Sequence, residues 1–422
     1  MSALPDALFK YKEVCMNGAK VLAMVMAGGE GKRLYPLTAE RSKPAVPFGG
    51  RYRIVDFVLS NMVNSGVHSI YLLVQYKSQS LIEHVRKAWS ASPLTYDHFV
   101  TVVPPQMRGG PEWFQGTADA IFQNLNLVYQ HRPDLVAVFG ADHIYRMDLG
   151  QMVAFHLEND ADISIAALPV PLEQGQSFGI IASDSEGRVR DFQEKPAHPR
   201  PIPTDPSLCY ASMGNYLFSA DLLDRELRKS HDRGEKDFGT DVIPRLLDTH
   251  RVFAYDFSTN SIPGVEAYEE AAYWRDVGNI EAFFAAHQDV LGLEPRFDVF
   301  NSRWPIYSGN YFGPVLKIIA GEIQNSILGG GTLINNARVR DSVIRRQVQI
   351  EQDVDIDNCI IMDYSVIGRG SKLRRVIVDR YNIIEPGTEI GFKQEADKRR
   401  YFVSPSGIVV VPQGFRGLDL VF

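Results

Sequence analysis

Gly28-Gly29-Glu30-Gly31-Lys32-Arg33 closes a short apolar run that starts at Val21, and its residue types already suggest chemistry. Three glycines let backbone N–H groups approach a phosphate chain, and a nearby arginine can grip its oxygens in a fork. The string is not a Walker loop, because no Ser or Thr follows the lysine. It is not the dinucleotide fingerprint either, because Leu34 stands where the third glycine belongs. A tight strand-exit turn explains the string equally well, so alone it leaves both readings open. The neighbourhood weighs on the side of phosphate. Arg33, Arg41, Lys43, Arg51 and Arg53 fall within 21 residues, interleaved with proline and glycine. In an acidic chain this is a local positive funnel suited to a polyphosphate.

Carboxylates stand elsewhere. Asp142 follows the apolar run Leu135–Gly140, at the carboxyl end of an expected parallel strand, where open sheets bind ligands. Capping or turn-making is its plain alternative. Glu194-Lys195-Pro196 sets a mobile cation suited to a monophosphate beside a carboxylate that can accept from sugar hydroxyls. Such a tripeptide is also an ordinary surface turn. His143 reads as structural. Arg345-Arg346 read as a solvated corner.

Alternating strands and helices must position these groups. Buried-strand runs lie at 21–27, 69–76, 100–105 and 135–140, with helical spacing at 54–64, 80–89 and 117–129. Repeated βα units imply an open, Rossmann-like, mostly parallel sheet covered by helices. Ser177–Pro196 alternates about Asp184–Gly187 and reads as a β-hairpin. After a Pro-, Gly- and aromatic-rich stretch comes a hexad repeat: Ile327, Leu333 and Val339, then Val348, Val354, Ile360 and Val366, then Ile377 and Ile383. A six-residue period fits a parallel β-helix and no α-helix. The α/β chain therefore divides into a catalytic domain at 1–294, a linker at 295–314 and a β-helix at 315–422.

At about 100–200 residues per domain, 422 residues also suggest two or three domains. Hydrophobic residues at 45% and charged ones at 23% exclude wholesale disorder. A net charge of −7 lacks the basic footprint of a nucleic-acid binder. No apolar run approaches the roughly 18 residues of a membrane span. The first twenty residues lack the features of a signal peptide. Cys15, Cys209 and Cys359 are scattered and odd in number, so reduced thiols and a cytoplasmic location are expected.

GGEGKRLYPLTAERSKPAVPFGG resembles the signature of the sugar-nucleotide pyrophosphorylases, and RYRIVDFVLSNMVNSG after it is similar to their glucose-1-phosphate adenylyltransferase branch. Further matching blocks run in order from Trp113 to Gly278, and a left-handed β-helix is the family's C-terminal fold. The resemblance implies that ATP and glucose 1-phosphate become ADP-glucose and pyrophosphate, in the service of glycogen or other α-glucan synthesis. It implies Mg²⁺ on Asp142 and Asp276, a pair the sequence alone does not match. It casts Arg33, Lys43 and Asp142 as catalytic, and Gly28, Gly29, Gly31, Gln75, Gly116 and Thr117 as nucleotide contacts. Gly179, Glu194, Lys195 and Ser212 become sugar-phosphate contacts, as does Phe114, which stands where many members have tyrosine. Arg41 and Arg53 become effector contacts, and a homotetramer regulated by small phosphorylated molecules is implied. UTP or dTTP as donor, a catalytically silent regulatory subunit and a bifunctional acyltransferase are the competing readings. Retention of Arg33, Lys43, Asp142, Lys195 and Asp276 opposes the silent one. Glu40 stands where some members have a lysine that contacts fructose 1,6-bisphosphate, and Gly417–Phe422 offers no basic tail, so weak activation by that compound is expected.

Overall fold

The computed structural model describes residues 16–89, 98–106, 112–203 and 205–415; Cys15 and Gly417–Phe422 lie outside them. Four apolar runs form four parallel strands: Val21–Ala27 (β1), Ser69–Val74 (β2), Phe99–Val103 (β3) and Leu135–Gly140 (β4). β1 is buried on both faces, as a central parallel strand covered by helices must be. Ala23 and Val25 pack into one apolar layer, Leu22 and Met24 into the other. Ile163–Pro171 (β5), Gly179–Ser183 (β6), Val189–Glu194 (β7), Leu208–Ser219 (β8) and Val252–Asp256 (β9) complete a nine-stranded sheet. Its main path runs β7-β6-β8-β4-β1-β2-β3, with β5 between β8 and β9. β6 and β7 form the expected antiparallel hairpin. The Asp184 carboxylate closes its turn by accepting from the N–H groups of Glu186 and Arg188, each at 3.0 Å.

Val55–Asn64 (α1) and Gln79–Ala88 (α2) match the helical spacing. The single helix expected over 117–129 is two, Thr117–Phe122 (α3) and Leu125–His131 (α4). Between them the Asn124 amide donates to the carbonyl of Ala120 at 2.8 Å, a side-chain bond that competes with helix propagation.

The hexads wind into a parallel β-helix. Ile334, Ile350, Ile367 and Ile384 pair in one stack, and Val339, Ile356, Leu373 and Ile390 in another. Val343, Ile360, Ile377 and Val410 make the third. Leu333, Val366 and Ile383 share the row that faces away from the core, Ile383 being 63% exposed, and the residues after them, Ile334, Ile367 and Ile384, are the buried ones. With a side-chain period of two, a one-residue slip reverses the faces.

Two expectations change where the β-helix meets the sheet. The 295–314 stretch is strapped to α1 rather than hanging free. Trp304 Nε1 donates to Asn61 Oδ1 at 3.4 Å, and the Tyr307 N–H donates to Ser60 Oγ at 2.8 Å. Its weak periodicity reflects anchoring by isolated side chains and backbone groups. Arg345 is not solvated: it is 1% exposed. Its Nη1 reaches the carbonyls of Phe48, Gly49 and Tyr52 at 2.8, 2.6 and 3.0 Å, and its Nε reaches Asp363 at 3.0 Å. A shared apolar cluster joins Phe48, Phe57 and Phe283 to Ile360, Met362 and Val410.

Burial alone would raise the Asp363 carboxyl, but Arg345, Arg346 and Arg380 outweigh it and hold it well below the usual carboxylate range. A depressed carboxyl adds stability that is fully present above its unfolded value, about 3.9, and is lost as pH falls further. Asp363→Asn is therefore expected to cost about 3–5 kcal/mol at neutral pH, as for a broken buried charge pair. The variant should also lose less stability than the parent as pH falls below about 4. Urea unfolding at several pH values checks both.

Candidate active site

β1, β2 and β4 end in register, with Met26 opposite Gly140 and Ala27 opposite Val74. Gly28, Gln75 and Asp142 therefore leave the sheet at one edge. At β1 the chain turns to β2 on one side and, later, to β4 on the other. Such a switch point opens a crevice at the carboxyl ends of the strands. A cleft of about 650 Å³ lies there. Its wall includes Gly28, Gly29, Gly31, Arg33 and Lys43 from the first segment. Gln75, Phe114, Gly116, Thr117 and Asp142 come from the later ones.

Two glycines have no substitute. Gly31 has φ 64°, and a Cβ there would lie 3.1 Å from both Lys43 Cβ and Thr38 Cγ2. A Cβ on Gly116 would fall 2.3 Å from the carbonyl oxygen of Lys236. That carbonyl accepts from the N–H groups of Ala118 and Asp119 at the start of α3. Thr117, expected to touch the nucleotide, has a committed hydroxyl. It donates to Asp237 at 2.9 Å and accepts from the Phe238 N–H at 2.9 Å, so it fastens the wall and has no proton left for a base. Gln75 Nε2 donates to the Phe114 carbonyl at 3.3 Å, while its buried Oε1 has no hydrogen-bond partner among the described residues. Phe114 thus serves through its backbone. Glu30, between the signature glycines, is exposed and paired with Lys32.

The centre of charge is built by a two-stranded ladder. His143–Tyr145 pairs antiparallel with Trp274–Asp276, which sets Asp276 opposite His143 and beside Asp142. Lys43 Nζ lies 2.9 Å from Asp142 Oδ2 and 2.8 Å from Asp276 Oδ1. The Lys43 side chain is 7% exposed, and its lysine-bearing turn, Lys43–Ala45, contains Pro44. Burial opposes the ammonium, yet the two carboxylates outweigh it and raise its pKa. Burial likewise opposes the Asp142 carboxylate. Lys43 and His143 reverse that and hold the carboxyl well below its usual range. Burial pushes the His143 pKa down, although Asp142 opposes the shift. Arg33 stands at the mouth, 74% exposed, with Nη2 3.8 Å from Asp276 Oδ2.

Ligand atoms of Asp142, His143 and Asp276 lie within 4.8 Å of one another, and His143 Nδ1 is buried without a hydrogen-bond partner among the described residues. Two carboxylates beside an orphaned imidazole nitrogen fit a divalent cation, with the oxygens suiting a hard one.

The expected sugar-phosphate residues form a second group. Gly179 pairs with Glu194 across the β6–β7 hairpin, and the Lys195 N–H donates to the Phe178 carbonyl at 3.0 Å. Glu194 and Lys195 are ion-paired with each other. Ser212, on β8, accepts from the Gly214 N–H at 3.3 Å. Burial pushes the Tyr216 phenol up, and the nearby charges of Asp237 and Glu194 push it the same way.

Arg41 departs from its expected effector role. It is fully buried, donates from Nε to the Leu37 carbonyl at 2.9 Å and is ion-paired with Asp379 of the β-helix. Arg53 instead lines a separate cavity of about 320 Å³ with Arg51, Arg346 and Arg380. Sequence reasoning missed Asp237, Asp379 and the true setting of Arg345. Thr117 and Asp237 are 120 residues apart with no pattern to join them.

Comparison with known proteins agrees with this geometry. Residues 22–292 match the family model described as nucleotidyl transferase, and residues 317–411 match the GlmU-like C-terminal hexapeptide model, consistent with a left-handed β-helix. The chain is 55% identical to a glucose-1-phosphate adenylyltransferase of Thermodesulfovibrio yellowstonii, over 95% of this chain and 98% of that one. It is 47% identical to the enzyme of that name from Thermus thermophilus, over 95% and 100%. It is 45% identical to glucose-1-phosphate adenylyltransferase 1 of Vibrio parahaemolyticus, over 94% and 99%.

Proposed function

Because the chain belongs to the glucose-1-phosphate adenylyltransferase family of nucleotidyltransferases, it makes ADP-glucose from ATP and glucose 1-phosphate, and we propose that Lys43, Asp142 and Asp276 are the centre of that reaction. The observation that carries the proposal is the single ammonium shared by two carboxylates at the carboxyl edge of β1 and β4.

The phosphate of glucose 1-phosphate attacks the α-phosphorus of ATP, and pyrophosphate leaves. The second pKa of a sugar phosphate lies near 6, so the nucleophile is already largely dianionic at neutral pH and no general base is needed. The task is to bring two anions into line and hold the charge that moves onto the leaving group. The glycine loop offers backbone N–H groups and Arg33 offers its guanidinium to the β- and γ-phosphates, with Lys43 adding charge from below. Lys195 anchors the second substrate's phosphate, and Glu194, Ser212 and Gly179 hold its sugar. Gln75 Oε1 is left to accept from the base. Nucleotidyltransferases work with a divalent metal, and here we assign Mg²⁺ to Asp142 and Asp276, where it would neutralise phosphate charge.

Regulation belongs to the same reading. The arginine-lined cavity between sheet and β-helix suits a small phosphorylated effector. Burial, with Arg380 and Arg41 nearby, pushes the Arg53 guanidinium down to about 9 against the pull of Asp363 and Asp56, so a bound anion there would favour its charged form. A homotetramer is supported by the exposed edge strand Lys317–Gln324, with Ile319 57% exposed. The buried free thiols of Cys209 and Cys359, and the lack of any described helix long and apolar enough to cross a membrane, accord with a cytoplasmic location.

Pyrophosphate release should be magnesium-dependent and fastest with ATP; faster turnover of UTP or dTTP would contradict the adenylyl assignment. Lys195→Ala should mainly raise the KM for glucose 1-phosphate. The loss of a charge partner costs roughly 2–5 kcal/mol, or on the order of 30- to several-thousand-fold. Asp142→Asn should instead depress kcat with smaller KM changes. Steady-state kinetics separate the two, and near-normal kcat in Asp142→Asn would remove it from the centre.

Fructose 1,6-bisphosphate should activate weakly: Glu40 is exposed, and a carboxylate 4 Å from a phosphate would repel it by about 1 kcal/mol even in water. A monophosphorylated sugar or glycolytic acid should activate better. Titration of the synthesis rate with each checks this, and strong activation by the bisphosphate alone would overturn it.

A further inference from the structure

The loop that carries Lys43 is tied to its own domain through both side chains and backbone. Lys77 Nζ donates to the Thr38 carbonyl at 3.1 Å and to the Ala39 carbonyl, and the Thr38 hydroxyl donates to the Gly31 carbonyl at 3.0 Å. The Ser42 N–H donates to the Lys77 carbonyl at 3.3 Å, and the Ile54 N–H donates to the Val46 carbonyl at 3.2 Å. His287 Nε2 accepts from the Gly49 N–H at 3.1 Å, and the Asp56 carboxylate accepts from the Arg53 N–H at 2.9 Å. The β-helix adds charged anchors that bracket the lysine on both sides. Two residues before it, Arg41 is buried against the Asp379 carboxylate, with side chains 2% and 0% exposed. Arg41 Nε also binds the Leu37 carbonyl, so the pair fixes the backbone that enters the lysine turn. Beyond the lysine, Pro47–Phe48 and Tyr52–Arg53 form a short hairpin. Arg345 reaches three of that hairpin's carbonyls from the β-helix, those of Phe48, Gly49 and Tyr52. Asp363 holds Arg345 in turn through Nε.

We propose that Asp379 and Arg345, both on the β-helix, are positioning residues for the transfer reaction, acting through Lys43 by clamping its loop at both ends. The β-helix would then complete the active site without touching substrate. Buried charged contacts suit this task because they are directional and fail steeply when one partner is lost. The proposal rests on the reading of Lys43 as a group that serves the reaction.

A double-mutant cycle tests it in the full-length chain. Wild type, Asp379→Asn, Lys43→Ala and the double variant are compared by rapid-quench measurement of ADP-glucose at saturating ATP and glucose 1-phosphate. Rates are referred to the folded fraction from near-ultraviolet circular dichroism. Asp379→Asn is expected to lower kcat on the order of 100-fold, as an ångström-scale misplacement does, with KM for glucose 1-phosphate within about threefold of wild type. In the Lys43→Ala background the same change should cost less than about threefold, because nothing remains to be positioned. Arg345→Lys, which keeps the charge but cannot span three carbonyls, is the second arm and should show the same pattern if Asp379→Asn folds poorly. Effects that multiply in full, or a near-normal kcat per folded chain in both arms, would overturn the proposal. That last result is what a merely stabilising contact would give. A Lys43→Ala variant with near-normal kcat would instead overturn the reading of Lys43 itself, and the proposal with it.

Discussion

The ammonium of Lys43, held 2.8–2.9 Å from two carboxylates, is the contact on which the catalytic region depends. An unpaired lysine so buried would lose several kcal/mol of hydration, and two carboxylates side by side would repel each other. Together the three groups offset one another. They come from segments 99 and 233 positions apart, so the contact forms only when three parts of the fold agree. β4 must deliver Asp142, the small ladder must deliver Asp276, and the loop after β1 must deliver Lys43.

The rest of the cleft follows from this centre by charge. Phosphate chemistry needs positive groups around the substrate oxygens and a negative pole to hold a metal. The cleft keeps the two poles within ångströms of each other. Its basic side consists of backbone N–H groups, the exposed Arg33 and the buried Lys43. Its acidic side is Asp142 and Asp276, with the buried imidazole of His143 beside them. Glu194 and Lys195 repeat the same pairing at the hairpin, where each is neutralised by the other.

Much of this was legible in the sequence because the signals were local. β1 and β4 are unbroken apolar runs, the hairpin alternates about Asp184, and the hexads recur from Ile327 to Ile383. The glycine loop and basic funnel are contiguous, so they stood out in the sequence as one stretch. The carboxylate pair was reached only by resemblance, because a ladder between residues 143 and 276 leaves no periodic trace. Arg345 and Arg41 were misjudged for a related reason. Arginine is normally exposed, and only a facing carboxylate or carbonyl cluster from a distant segment makes its burial tolerable. A helix break does not announce itself either: the interruption between α3 and α4 lies in one side-chain bond made by Asn124. The count of six fell one residue off the core at Leu333, Val366 and Ile383 alike, because alternate strand residues face opposite ways.

The central claim is that Lys43 is the counterion of the two carboxylates that also hold the divalent metal. The affinity of the Lys43→Met variant for Mn²⁺, read by electron paramagnetic resonance without nucleotide, addresses it most directly. Removing a cation that competes for the same oxygens is worth about 1 kcal/mol at 4 Å in water, and about 4 kcal/mol where solvent is partly excluded. The variant should therefore bind Mn²⁺ roughly tenfold or more tightly than the wild type. Unchanged or weaker binding would show that Lys43 does not neutralise the metal-binding carboxylates.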